Sequence, residues 1–322
     1  MAKRYDIVAL GECLIDFSQL QPGTMDFRGN PGGAPANVLA AAARLGNKTA
    51  FIGKVGQDPF GLFLRDSLKQ AGIDTAGLLI SPAHNTTLAF VALDGAGERS
   101  FRFYRRHTAD VELSFEEVPL RLLQEGRIFH FGSVSLTDLP AGDTTLRAVA
   151  YAKSHGSVIS FDPNYRAFLW DSEERARKAI QSGLALAQLV KLSQEEAALI
   201  TGEEAPEQAA RALLKRYPGV RLLAVTCGEK GAWCFCGGLA AHQPAYAVSC
   251  VDTTGAGDAF WGAMLHRLLT ADLALPGEQQ ALDRLTAWCC AAGSLTTTKS
   301  GAIPALPTGP QIDQCVAQGA TL

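Results

Sequence analysis

The sequence lacks a strong excess of charge of either sign. Its 322 residues include 29 Lys and Arg against 32 Asp and Glu, a formal net charge of −3 at pH 7. This near-neutral balance argues against nucleic acid or an anionic membrane as the main partner. Charged residues make up only 19% of the chain and hydrophobic residues 47%, which excludes a disordered chain and favours one large α/β domain, alone or with an appendage.

A credible membrane-spanning run is also lacking. The longest uncharged stretch, 231–251, contains Gly237-Gly238, Gln243 and Pro244, so its backbone could not remain helical in lipid. Only a short apolar run, ending at Glu12, follows the opening residues, which is typical of a first strand rather than of a signal peptide. We therefore expect a cytoplasmic protein.

Cysteine is present, but not in metal-binding pairs. The eight cysteines include no Cys-x-x-Cys spacing, so no structural zinc site is predicted. Cys234 and Cys236 are two residues apart and would share one face of a strand. We interpret the cysteines as small, mostly buried hydrophobic residues of a reducing compartment.

Short apolar runs alternate with helical patterns along the chain. Strands are predicted at 6–11, 50–55, 128–131, 158–161, 189–192, 222–226 and 246–251. Helices are predicted at 35–45, 60–71, 141–154, 172–187, 207–216 and 259–269. This alternation is typical of an α/β fold whose mostly parallel central sheet is covered on both faces.

One region interrupts this alternation. Residues 88–93 and 99–104 form two strand-like runs joined by Asp94-Gly95-Ala96-Gly97, which is a hairpin signal. The hairpin follows a glycine-rich loop, which favours a flap over a cleft. We predict a small β lid at 13–33 and 86–106, and an α/β core at 1–12, 34–85 and 107–322.

The segment 251–260, Val-Asp-Thr-Thr-Gly-Ala-Gly-Asp-Ala-Phe, carries the clearest chemical signal. The small residues Gly255, Ala256 and Gly257 would let backbone N–H groups converge at a helix start, which attracts anions. Asp258 would lie in the first helical turn. The residues alone leave two interpretations open. Thr254 or Asp258 caps the helix above a tight turn, or the amides bind a phosphoryl oxygen and Asp258 is a general base.

A second element is Pro31-Gly32-Gly33-Ala34-Pro35-Ala36-Asn37. Gly32-Gly33 allows a close approach of backbone to a ligand, Pro35 suits a first helical turn, and Asn37 would face the same loop. A plain connection between a loop and a helix is the alternative interpretation.

These two elements together resemble the paired signatures of the ribokinase-like (PfkB) carbohydrate kinases. The resemblance extends from about residue 5 to 307, and within the family it is greatest to the fructokinases. It implies a three-layer α/β domain with a mostly parallel sheet and a small β lid. Supporting stretches lie at 11–17 (Gly-Glu-Cys-Leu-Ile-Asp-Phe), 51–56, 103–105, 162–166 and 225–231.

The resemblance implies transfer of the ATP γ-phosphoryl group to a primary hydroxyl of a small carbohydrate, with fructose favoured by the 11–17 stretch. Asp258 would be the general base, and the amides of 255–257 the anion hole. The resemblance also implies which residues contact the sugar and which contact the nucleotide. The implied sugar contacts are Asp16, Gly32, Gly33, Asn37, Arg105 and Arg166. The implied nucleotide contacts are Asn164, Ser193, Thr226, Gly228 and Gly231.

The resemblance also implies Mg²⁺ and allows K⁺. Glu196 would act on magnesium through water, although Ser193-Gln194-Glu195-Glu196 departs from the family's Asn-x-x-Glu and also fits a helix capping box. Asp252 and Thr254 lie where some relatives bind a monovalent cation. The exposed edges of the lid would allow two copies to pair as a homodimer.

Two other nucleotide-binding motifs are incomplete in this chain. Residues 293–300 nearly match a P-loop, but Thr298 replaces its second glycine and the segment follows a helix. The first strand lacks the Gly-x-Gly-x-x-Gly of a dinucleotide-binding fold.

Three alternative functions remain open. The first is a 2-keto-3-deoxygluconate kinase, whose substrate carboxylate calls for an Arg. The others are a riboside kinase and a catalytically silent sugar or nucleotide sensor.

Overall fold

The computed structural model describes residues 3–93 and 99–319. The turn predicted at 94–97 lies outside the described residues. The α/β prediction is confirmed: the described residues form a 9-stranded sheet, a separate 4-stranded sheet and a set of helices. None of the helices in the described part of the chain is long and apolar enough to cross a membrane.

The large sheet has the strand order β13-β12-β11-β10-β9-β8-β1-β4-β5. Its strands are β1 (Tyr5–Leu10), β4 (Thr49–Gly56), β5 (Ile73–Ser81), β8 (Gly126–Phe131), β9 (Val158–Phe161), β10 (Leu189–Ser193), β11 (Leu222–Thr226), β12 (Ala232–Cys236) and β13 (Leu239–Gln243). Neighbouring strands from β11 to β5 pair in parallel, and β12 is antiparallel to both of its neighbours. The parallel strands therefore direct their carboxyl ends to one edge of the sheet.

The small sheet has the order β3-β2-β6-β7. It contains β2 (Leu14–Gln19), β3 (Phe27–Gly32), β6 (Leu88–Leu93) and β7 (Arg99–Tyr104). The predicted antiparallel pairing of 88–93 with 99–104 is confirmed. The hairpin reaches the sheet through a parallel pairing of β6 with β2.

Two hydrophobic clusters cover the faces of the large sheet. Ile7 and Ala9 of β1 belong to one cluster and Val8 and Leu10 to the other, as expected for a strand buried on both faces. The first cluster includes α1 (Ala34–Arg44), α2 (Pro59–Gln70), α8 (Ala256–Thr270), α9 (Gln279–Thr296) and α11 (Gly309–Gln318). The second includes α3 (Leu120–Glu125), α4 (Ala141–Ser154), α5 (Glu173–Leu186), α6 (Gln194–Thr201) and α7 (Pro206–Arg216), and α10 (Ala302–Ala305) follows α9.

The strand predicted at 246–251 is wrong, because this segment is irregular apart from a single bridge at Tyr246. Its backbone donors bond to α9 and the residue after it, rather than to a strand. The Tyr246 N–H donates to Ser294 Oγ over 3.0 Å. The amides of Val251 and Asp252 both donate to Thr297 O, over 2.8 and 3.1 Å. These three amides are therefore satisfied without a sheet, and the connection leads into the motif at the start of α8.

Candidate active site

A cavity of about 310 Å³ opens between the small sheet and the strand ends of the large sheet. Its walls come from the small sheet, from the loops after β1 and β9, from β10 and from the start of α8. The charged residues among its lining are Glu12, Asp16, Arg166, Lys191, Asp252 and Asp258. A concave site with converging charged groups is where ligand binding is expected.

Asp258 lines this cavity, in the first turn of α8. The residue is only 8% exposed, and its Oδ2 accepts a hydrogen bond from Asn37 Nδ2 over 2.8 Å. Asn37 is on α1, which packs against α8. The structure thus brings together the two residues that the sequence placed in separate motifs.

Burial raises the pKa of Asp258 to about 6. The positive charges of Lys191 and Arg166 and the hydrogen bond from Asn37 oppose this rise, whereas Asp162 adds to it. A carboxylate with a pKa near the working pH is suited to accept a proton during a reaction.

The start of α8 has the tight geometry that its glycines predict. Gly255 is the N-cap residue with φ of 79°, and a Cβ there would lie 2.5 Å from the Ala302 Cβ. Neither Thr254 nor Asp258 is the cap. Of the three predicted anion-hole amides, Ala256 N–H already donates to Thr253 O over 3.3 Å. One of the three donors is therefore used within the loop.

Asp252 orders the loop before this tip. Its Oδ1 accepts from the Thr254 N–H (3.0 Å) and hydroxyl (2.7 Å), and its Oδ2 accepts from Gly301 N–H (2.9 Å). The side chain predicted near a monovalent cation is therefore engaged in holding the turn. Thr254 lines the cavity beside it.

Asp16 and Gly33, two of the predicted sugar residues, line the same cavity as Asp258. Asp16 on β2 faces the cavity, and a Cβ on Gly32 would lie 2.0 Å from Asp16 Oδ2, so any side chain at position 32 would displace that carboxylate. Gly33 lines the cavity and precedes α1. Burial raises the pKa of Asp16 to about 7, with Arg166 opposing and Asp258 adding to the rise.

The two predicted arginines are separated. Arg166 lines the cavity. Arg105 lines a different cavity, and its guanidinium donates to Asp110 Oδ2 (2.7 Å), Thr137 Oγ1 (2.6 Å) and Val134 O (3.1 Å). The structure therefore corrects the prediction that Arg105 lines the sugar pocket, because its donors are directed to the core. Val134, which Arg105 holds through its carbonyl, does line the pocket.

A second cavity of about 510 Å³ meets the first at Thr253 and Gly257, which line both. It contains the predicted nucleotide residues Thr226, Gly228 and Gly231. The rest of its lining is mainly apolar, including Tyr246, Val248, Ala256, Phe260 and Cys290. The tip of α8 therefore separates a charged cavity from an apolar one.

Three residues that the resemblance assigns to the nucleotide or to magnesium do not line the second cavity: Asn164, Ser193 and Glu196. Asn164 lines the charged cavity, with φ of 49°. Ser193 caps α6: its hydroxyl accepts from Glu196 N–H, and Glu196 Oε2 accepts from Ser193 N–H over 2.7 Å. Glu196 Oε1 accepts from Tyr165 N–H over 2.6 Å. The capping-box interpretation of this segment is confirmed by the structure.

Sequence reasoning missed several residues of the site. Lys191 and Asp162 form a buried pair over 2.8 Å, and a lysine inside the apolar strand β10 was the available signal. Glu12 lines the charged cavity, and burial raises its pKa to about 7. The small and apolar residues of the second cavity carry no sequence signal, because they resemble those of any core.

Comparison with known proteins identifies the family. The profile of the pfkB family carbohydrate kinases matches residues 4–309. The chain belongs to this family. It is 40% identical to fructokinase-1 from Zea mays over 320 residues, which cover 98% of each chain.

Two solved structures extend the comparison of this carbohydrate kinase. A fructokinase from Xylella fastidiosa with bound ATP has a TM-score of 0.89 and 34% identity, covering 98% of this chain and 99% of that one. A fructokinase double mutant from Vibrio cholerae O395, bound to fructose, ADP and potassium ion, has a TM-score of 0.85 and 34% identity over 98% and 99%. The protein is thus a sugar kinase that transfers a phosphoryl group to an alcohol.

Proposed function

We propose that the protein is a fructokinase, which transfers the γ-phosphoryl group of ATP to a primary hydroxyl of fructose. The observation that carries the proposal is the position of Asp258 and Gly257, next to each other where the two cavities meet. A sugar in the charged cavity and a nucleotide in the apolar cavity would face each other there. The maize relative and both structural neighbours are named fructokinases.

Asp258 accepts the hydroxyl proton in the proposed mechanism. The hydrogen bond from Asn37 holds one oxygen of its carboxylate, which leaves the other for the sugar. The amides of Gly255 and Gly257, joined by that of Ala256 once it leaves Thr253 O, stabilise charge on the transferring phosphoryl group as the sugar oxygen attacks the γ-phosphorus and ADP leaves.

Asp16, Gly32, Gly33, Asn37 and Arg166 hold the sugar in this proposal. The Asp16 carboxylate can accept hydrogen bonds from two adjacent hydroxyls, and Arg166 lies near enough to oppose the rise of its pKa. Arg105 acts indirectly, by fixing Val134 in the pocket wall. The small sheet is proposed to be the lid, covering the sugar so that ATP is not hydrolysed.

Nucleotide binding is proposed for Thr226, Gly228 and Gly231 in the apolar cavity and for Asn164, which lines the charged cavity. Ser193, whose hydroxyl caps α6, is proposed to contact the nucleotide from the end of β10. Mg²⁺ bound there would neutralise phosphate charge. In the described part of the chain, no three acidic, His or Cys side chains cluster as metal ligands. Because both Glu196 oxygens already accept backbone N–H groups, that residue fits only an indirect role through water, with phosphates as direct ligands.

A monovalent cation such as K⁺ is proposed beside Asp252 and Thr254, on backbone oxygens. The Asp252 carboxylate is committed to the turn, so it would order the cation ligands without being one. The proposal is supported by the potassium ion bound to the Vibrio cholerae neighbour.

Fructose is favoured over 2-keto-3-deoxygluconate by the arginines. A sugar-acid carboxylate requires a bidentate Arg, and Arg105 is committed to Asp110 and Thr137. Only Arg166 of the two predicted arginines reaches the pocket, where it faces Asp16. A riboside kinase and a silent sensor remain as outcomes of the test.

The test is ADP release with ATP and Mg²⁺, coupled to a dehydrogenase, across fructose, 2-keto-3-deoxygluconate and a riboside. We expect turnover with fructose at the highest kcat/KM, and slower ATP hydrolysis without sugar. A higher kcat/KM for another substrate would reassign the sugar. Sugar binding without any ADP release would favour the sensor.

A homodimer formed through the outer face of the small sheet is also proposed. Phe17, Phe27 and Tyr104 surround the Phe90 ring at centroid distances of 4.8, 5.3 and 5.5 Å, and Tyr104 is 62% exposed. We expect light scattering to report a dimer for the wild type and a monomer for Tyr104→Asp.

The eight unpaired thiols support the proposal of a reducing, cytoplasmic setting.

A further inference from the structure

Two lysines of the large sheet lie in the interior of buried strands, and they differ in how many donors they use. Lys54 on β4 donates to both Glu117 carboxylate oxygens and to Glu112 O, over 2.7 to 3.0 Å. Lys191 on β10 donates only to Asp162 Oδ2, over 2.8 Å, among the described residues. An ammonium group has three N–H donors, so two of those on Lys191 have no protein partner there.

The unused donors lie against the tip of α8. A Cβ on Gly257 would be 3.0 Å from Lys191 Nζ, so the ammonium lies close to the backbone of residue 257 and a side chain there would press against it. Gly257 lines both cavities and Lys191 lines the charged one. The Lys191 side chain is 8% exposed. A buried cation with spare donors is thus directed to the place where the two ligands would meet.

We propose that Lys191 is a catalytic residue, whose ammonium group binds the terminal phosphate of the nucleotide while Asp162 holds it in position. The inference rests on the proposed kinase function. In the transfer, the sugar oxygen forms its bond to the γ-phosphorus, the bond from that phosphorus to the β–γ bridging oxygen breaks, and the hydroxyl proton passes to Asp258. Lys191 keeps its proton and offsets the negative charge of the phosphoryl oxygens.

The electrostatics of the cluster keep this lysine charged. Burial lowers the pKa of Lys191, but the negative charges of Asp162, Glu196 and Asp258 outweigh it, so the pKa is raised. These carboxylates come from the end of β9, from α6 and from α8. Asp162 Oδ1 is buried without a partner, so Asp162 meets the ammonium through one oxygen. Lys191 is therefore a cation at the working pH, as a residue that binds a phosphate group by its charge must be.

Nucleotide binding without sugar tests the proposal. Lys191→Met should weaken binding of a non-hydrolysable ATP analogue at least ~10-fold, because a charge-assisted contact is lost. Its ADP affinity should stay within about threefold, because ADP lacks the terminal phosphate. Lys54→Met is the matched control, since it removes a buried lysine pair outside both cavities, and should leave both affinities unchanged. Equal changes for ADP and the analogue, or no change in either, would overturn the proposal.

The kinetics provide a second readout. Lys191→Met should lower kcat on the order of 10²-fold, as loss of a transition-state donor does. The acid limb of its pH–kcat/KM profile should move to higher pH, because the positive charge that lowers the pKa of Asp258 is gone. The other charged groups facing Asp258, which are Asp162, Arg166 and Asp16, are unchanged. An unmoved limb with kcat within about threefold of wild type would contradict the role.

A folding failure is separated by a second variant. Lys191→Met/Asp162→Asn removes both charges of the pair, so neither is left buried alone, and the same nucleotide discrimination is expected. Failure of the proposed fructokinase function would give a different result. The wild type would bind nucleotides but would not phosphorylate fructose, and the ADP and analogue affinities would still report on Lys191.

Discussion

The two cavities that meet at Gly257 are built from different chemistry. The charged cavity is walled by residues such as Asp16, Arg166 and Asp258, which have buried, interacting charges. The apolar cavity is walled by residues such as Val248 and Phe260 with small neighbours. One side can therefore recognise its ligand through charge and hydrogen bonds, and the other through shape.

This difference sets how each side should respond to substitution. A neutralised charge next to the reacting atoms affects the rate, because only transition-state interactions raise kcat. A lost sugar contact affects sugar affinity alone. A filled apolar cavity affects nucleotide affinity without touching the chemistry. Substitutions of similar volume change should therefore give distinct kinetic signatures on the two sides.

Asp258→Asn should have the largest effect. The amide keeps the size and the contact to Asn37 but cannot accept the proton, so kcat should fall by at least ~10²-fold. Calorimetry should find ATP and fructose binding retained. Asp66→Asn, an exposed carboxylate paired with Arg65, is the control. Activity within about threefold of wild type would remove Asp258 from the role of base.

The same carboxylate should set the pH dependence of the wild type. Because the Asp258 pKa is raised to about 6, the proton-accepting form is lost as the pH falls through that value. Because the sugar contact Asp16 also has a raised pKa, of about 7, we expect kcat/KM for fructose to begin falling near pH 7 and to fall more steeply below about pH 6. An acid limb centred near pH 4 would show that another group limits the rate.

Asp16→Ala should raise the KM for fructose by about 10- to 100-fold, through loss of hydrogen bonds to a charged acceptor. The KM for ATP should stay within about twofold, since Asp16 lies on the charged cavity only. Asp26→Ala, an exposed carboxylate between β2 and β3, serves as the control. Parallel loss of affinity for both substrates would contradict the separation of the two sides.

The centre of the charged cavity was predictable from sequence, because Asn37 and Asp258 each lie in a recognisable motif, whereas Glu12 and Lys191 lie in or next to apolar strands and were missed. Strands 158–161 and 222–226 and helix 141–154 were predicted with the observed bounds. Arg105 was misplaced because sequence does not show that Asp110 and Thr137 would bind its guanidinium. The strand predicted at 246–251 failed because α9 and Thr297, distant in sequence, accept its backbone hydrogen bonds.

Val248→Trp should raise the KM for ATP by about tenfold, because the larger ring fills part of the apolar cavity that the nucleoside needs. The KM for fructose should change less than about twofold. Val251→Trp is the matched control, because Val251 is 60% exposed. Equal effects of the two tryptophans on ATP would show that the loop, rather than the cavity, governs nucleotide binding.

Glu12→Gln should have the smallest effect, on stability rather than on rate. The pKa of Glu12 is raised from 4.5 to about 7 by burial, against the opposing charge of Arg105. The folded protein therefore holds this proton more tightly than the unfolded chain, and the stability from this group is lost as pH rises from about 4.5 to about 7. Glutamine does not ionise and retains an oxygen for Ala34 N–H, which donates to Glu12 Oε1 over 3.0 Å.

Thermal unfolding of the ligand-free protein should show the Glu12→Gln variant about 1–2 °C more stable than wild type at pH 8 and no more stable at pH 5. Glu203→Gln, at an exposed position, should show no such pH-dependent gain. An equal gain at both pH values would mean that ionisation of Glu12 is not what limits stability, and that the charged cavity carries less electrostatic cost than its buried carboxylates indicate.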